Sequence, residues 1–173
     1  MTRTSTFLRS LGFAAAIAFL VLVTAPLPGA VRLLWVASIA THVAVVAPTR
    51  RRALAAAALA AALGAALWSL PLGFAATAIG GAAILGVCRS GVLYQARPWR
   101  AAAVEGLLLG SGLGLAALLA GSHNLSHGLS FWAFWLVQSG YFLMGGIRPR
   151  AEDDAAAGDP FERAHARILA LLE

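Results

Sequence analysis

Arginine clusters cut this chain into uncharged apolar runs, each near the length of helix that crosses the roughly 30 Å hydrocarbon core of a bilayer. Six runs are read, at residues 11–25, 31–47, 53–70, 71–87, 101–121 and 129–147. Apolar residues make up 60% of the 173 and charged residues 12%, against roughly half and a quarter in an ordinary soluble domain. A water-soluble globule is thereby excluded. The expected fold is all-α, a polytopic membrane helical bundle over residues 1–150, with loops too short for a separate soluble domain.

The punctuation between runs supports this count. The second run stops at Pro48 and Thr49, followed by Arg50, Arg51 and Arg52, a triplet costly to carry across lipid. Trp68-Ser69-Leu70-Pro71 separates the third and fourth runs as a tight helical hairpin, with proline suited to the first turn of a new helix. Residues 88–100 read as a polar connection carrying Arg89, Arg97 and Arg100, and the last run ends at Arg148-Pro149-Arg150. The first run ends at Pro26-Leu27-Pro28-Gly29-Ala30, a pattern that also suits a cleaved signal; cleavage would leave five spans. Proline three places before the only small-residue cut site argues for retention.

Thirteen basic residues against seven acidic ones give a net charge of +6, a balance that elsewhere suggests nucleic acid. All the basic residues are arginines, and most lie at the ends of apolar runs. Their expected role is therefore topological. With the N-terminus inside a bacterial inner membrane, Arg3, Arg9, Arg50, Arg51, Arg52, Arg89, Arg97, Arg100, Arg148 and Arg150 fall on the cytoplasmic side, and only Arg32 falls outside. Both termini are then cytoplasmic. Merging the third and fourth runs would put Arg50 and Arg89 on opposite faces, which disfavours the merger. Six of the seven acids lie in the tail, where residues 151–159 read as an acidic linker and 160–173 as an amphipathic helix capped by Asp159 and Pro160. That helix suits a membrane surface, a partner protein or the chain's own bundle.

Glu105 is the one acid before the tail. It lies about one and a half turns into the fifth run, near enough to the interface to pair with Arg100, Arg97 or Arg52. His42, six residues before Pro48, and Tyr141, six before Ile147, fall at nearly the same depth. Ser38 and Gln138 lie one turn higher on the faces of His42 and Tyr141. If the helices adjoin, these five groups form a polar seam that either hydrogen-bonds the helices together or relays a proton. Gly106, Gly110 and Gly114 make a doubled small-xxx-small pattern that asks for a closely packed helix, expected from this chain before a second protein.

Other constellations are weaker. His123 and His127 have a spacing that suits two metal ligands, but no third ligand is expected on their side, and no cofactor is expected. With Arg32 they suggest at most an outer vestibule that attracts anions; snorkelling to the headgroups is the simpler role for Arg32. Cys88 stands alone, excluding an intramolecular disulfide or a cysteine metal cluster. P-loop, HExxH and GxSxG motifs are missing, so an enzyme is disfavoured. The expected function is that of a noncatalytic subunit or scaffold, partnered by the bilayer and by other membrane subunits through the fifth span or the tail helix, with no nucleic acid. The alternative is a small proton-coupled solute transporter working through Glu105 and His42.

Overall fold

In a computed structural model of the chain, residues 3–27, 29–93 and 98–143 are described. They form helices α1 (Arg3–Thr24), α2 (Ala30–Val46), α3 (Arg50–Ser69), α4 (Phe74–Gly86), α5 (Pro98–Leu119) and α6 (Asn124–Ser139). A π-helical segment, Val87–Leu93, prolongs α4, and a 3-10 turn, Gly140–Phe142, closes α6. Arg97, Arg148, Arg150, the linker 151–159, the tail helix 160–173 and the side chain of Arg100 lie outside the described residues.

Local chemistry sets the breaks. Ala47 and Leu70 each precede a proline and take extended conformations, φ −63° with ψ 139° and φ −79° with ψ 143°, as the proline ring demands of the residue before it. Thr49 caps α3 by accepting from the Arg52 amide at 3.3 Å. Gly29 turns the chain into α2 with φ 73°, a left-handed conformation that favours glycine.

Among the described residues four helical stretches are long and apolar enough to cross a membrane, namely Ser5–Thr24, Arg50–Ser69, Phe74–Leu93 and Ala102–Leu119, and Ala30–Val46 is a shorter apolar helix. Large apolar side chains face outward, among them Phe19, Leu54, Ile79 and Leu118, the last 83% exposed. Such a surface is compatible with hydrocarbon around it.

Helix α2 lies centrally, against α1, α3 and α4, while α6 packs on α1 and α5. Small residues decide the closest approaches. Ala56, Ala60 and Gly64 form the buried stripe of α3, and a Cβ on Gly64 would stand 2.5 Å from Val36 Cγ1. Gly128 brings α6 against α1, where a Cβ would meet Ala18 O at 3.3 Å. Between the helices Trp35, Phe134, Trp135, Phe131 and Phe13 interlock edge to face, with ring centres 4.6 Å apart for Trp35 and Phe134.

Several boundaries differ from the sequence reading: α1 begins at Arg3, ahead of the run read from residue 11; α4 begins at Phe74, so Pro71 precedes it and does not sit in its first turn; and α6 begins at Asn124, ahead of the run read from residue 129. The chain stays helical from Phe74 through Leu93, where a polar connection had been expected from Cys88. Arg89 and Ser90 remain inside because they find partners there, and Arg52 Nη1 donates to Leu93 O at 2.7 Å, satisfying a carbonyl at the helix end.

Candidate functional site

The site begins with how α4 ends. Its π-helical turn widens the helix by one residue per turn and carries Arg89 and Ser90 together onto the face that meets α5. Gly86 clears the approach, since a Cβ there would lie 3.2 Å from Leu109 Cδ1 and 3.6 Å from Glu105 Oε2.

Arg89, fully buried, then grips Glu105 with two parallel hydrogen bonds. Nε donates to Oε1 at 3.0 Å and Nη2 to Oε2 at 2.5 Å. Ser90 Oγ donates a further bond to Oε1. Gln138 of α6 closes the other side, accepting from Arg89 Nη2 at 2.9 Å on its side-chain oxygen and donating from Nε2 to Leu108 O at 2.8 Å. The Arg89 guanidinium also lies 4.1 Å from the centre of the Tyr141 ring. This planar, bidentate geometry is what arginine supplies and lysine does not. The two charges cancel, and the groups around them use the guanidinium and carboxylate in one closed network.

Of the five seam residues, Glu105, Gln138 and Tyr141 thus gather around Arg89. Ser38 instead donates back to Trp35 O on its own helix at 2.7 Å. His42 is fully buried, its ring centre 4.5 Å from that of Trp135 and 5.1 Å from that of Phe13. Neither His42 nitrogen has a hydrogen-bond partner among the described residues, nor does Trp135 Nε1. Nearby, the Ser10 and Ser139 hydroxyls share a hydrogen bond of 2.8 Å that ties α1 to α6.

The arginines proposed for Glu105 from sequence were Arg100, Arg97 and Arg52; the structure supplies Arg89. The one hint in the sequence lies in its surroundings and not in the residue. Arg89 interrupts an apolar stretch that continues to Leu93, so a helix through it carries the charge inward to a carboxylate at matching depth.

The fifth-helix glycines face the other way. Gly106, Gly110 and Gly114 meet nothing within 4 Å, so no described helix of this chain fills their stripe, contrary to the first expectation for them. Arg32 Nη2 donates to the carbonyls of Leu67, Trp68 and Leu70, at 3.3, 3.0 and 2.8 Å, and its guanidinium lies 4.9 Å from the centre of the Trp68 ring. It thereby caps the end of α3. His123 precedes α6 and His127 lies in its first turn. Arg50 and Arg51 are exposed at the start of α3, at the same end of the bundle as Arg89.

Compared with protein-family models, curated proteins and solved structures, the chain matches none.

Proposed function

We propose that this chain is a noncatalytic subunit or scaffold of a membrane complex, crossing a bacterial inner membrane six times with both termini in the cytoplasm. The observation that carries the reading is the open stripe of Gly106, Gly110 and Gly114 on a helix whose opposite face is pinned by Glu105. A helix held that firmly presents bare backbone at a fixed angle, the surface on which a second membrane helix packs closely. Gly110→Ile is the test. Because Gly110 has no neighbour within 4 Å, the substitution spares the fold and blocks only the stripe. A stoichiometric partner that co-purifies in mild detergent should be lost from Gly110→Ile and kept by Leu115→Ile, an exposed position about 100° or more around the same helix from the stripe. Equal recovery from both variants would remove the support for this interface.

His42 favours a second reading, a small proton-coupled transporter. A fully buried imidazole with two unpartnered nitrogens is unusual and suits a group that exchanges protons. On this reading His42→Phe, which preserves an aromatic ring beside Trp135, removes proton flux from liposomes carrying the protein. Flux unchanged by His42→Phe sinks it.

A further inference from the structure

The start of α3 carries positive charge that the bundle does not use. Among the described residues Glu105 is the one carboxylate, and Arg89 takes it. Arg52 spends its guanidinium on the Leu93 carbonyl. Arg50 and Arg51, both exposed, make no side-chain hydrogen bond or ion pair among the described residues. Being consecutive, they stand at one level of the helix.

The helix face that continues from them is apolar and also unpartnered. Leu54 and Ala55 follow Arg50 and Arg51 by one turn on the same side and are exposed, Leu54 by 73%. Ala58, Leu59, Ala62 and Leu63 carry that exposed surface onward without a charge, while Ala56, Ala60 and Gly64 turn inward. The 20 residues of α3 span about 30 Å, the thickness of the hydrocarbon core. With the apolar part of α3 in that core, both guanidiniums stand at the depth of the lipid phosphates.

Charge chooses among the molecules able to cover this face. A second apolar helix would meet the leucines and leave two guanidiniums without an acceptor. A zwitterionic lipid offers a phosphate but brings its own cation on the same headgroup. An anionic diacyl lipid supplies both halves, acyl chains for the leucine and alanine surface and a phosphodiester with no internal counter-charge for the arginines. The planar fork of arginine also holds two phosphate oxygens at once.

We propose that the exposed face of α3 binds one anionic phospholipid, with Arg50 and Arg51 donating to its phosphate and Leu54 beside its acyl chains. The site rests on the chain residing in a bilayer, which is part of the function proposed above, and does not depend on a partner subunit. Native mass spectrometry of the full chain, released from nanodiscs of dioleoylphosphatidylglycerol and dioleoylphosphatidylcholine in equal parts, tests it. Incorporation into the discs is read first, so failure of bilayer residence is distinct from failure of the site. Wild type should retain phosphatidylglycerol over phosphatidylcholine by at least about fivefold, the worth of one basic residue at an anionic surface. Arg51→Gln should lower that ratio about two- to fivefold, and Arg50→Gln with Arg51→Gln should abolish the preference. Arg9→Gln removes a charge at the same end of the bundle, on α1, which the Ser10–Ser139 hydrogen bond ties to α6, and should leave the ratio unchanged. Arg50 and Arg51 hold nothing inside the bundle, and circular dichroism verifies that each variant keeps its helices. Wild-type retention in the proportion of the disc mixture overturns the proposal, and is the result expected if another protein segment, such as the acidic linker 151–159, holds the two arginines. An equal fall for Arg9→Gln and Arg51→Gln overturns it as well, because the preference would then belong to net charge and not to this face.

Discussion

Arg89 and Glu105 illustrate how much a single buried charge depends on its partner. Removing one member leaves the other uncompensated in a low-dielectric interior, at a cost of about 3–5 kcal/mol, whereas replacing both by apolar residues of similar size is often neutral. Glu105→Gln should therefore lower the stability of the folded protein by roughly that amount, and Arg89→Met with Glu105→Leu should recover most of the loss. Thermal unfolding in detergent of Arg89→Met, Glu105→Leu and the double variant, read as a cycle, checks this; a double-variant loss equal to the sum of the two single losses would show that the residues contribute independently. The common depth of Glu105 and Tyr141, with Gln138 one turn higher on the face of Tyr141, was legible from helix spacing. Arg89 was not, because arginine near the end of an apolar run ordinarily marks the interface, and nothing in the residue itself announces a π-helical turn that draws it inward.

Between helices, glycine has two opposite uses in this molecule. Gly64 is filled by Val36, a β-branched side chain with little freedom to retreat. Gly64→Leu should cost about 1–3 kcal/mol by overpacking the α2–α3 contact. Gly110→Ala, facing open space, should be neutral or improve the helix by about 0.5–1 kcal/mol in the isolated monomer. Comparing the melting temperatures of the two variants tests the assignment of faces, and similar losses would contradict it. The sequence displayed the glycine repeat of α5 plainly, yet repetition reveals a stripe without its direction. The stripe that α3 turns inward, Ala56, Ala60 and Gly64, was hidden because alanine fills most of that helix and leaves no contrast.

At the scale of the whole chain, hydrophobic length and proline placement were enough to locate most helices, since both act locally. Which helices adjoin depends on side-chain fit across long separations, as in the contact of α1 with α6, and no spacing rule encodes that. Six spans with cytoplasmic termini require Thr49 and Asn124 to face opposite compartments. Thr49→Cys and Asn124→Cys, made with Cys88→Ala, should label from opposite sides with a membrane-impermeant maleimide. Labelling of both from one side would discard that topology.

The ion pair also constrains how the protein is made. Glu105 follows Arg89 by 16 residues, so a ribosome delivers the guanidinium to the membrane before its carboxylate exists outside the exit tunnel. Lateral release of α4 by itself would strand a cation in lipid at a penalty of about 2.5–3.5 kcal/mol on the insertion scale. Biogenesis should consequently hold α4 in the translocase until α5 joins it, and nascent chains arrested ahead of Glu105 should remain crosslinkable to the insertion machinery when longer ones have already left.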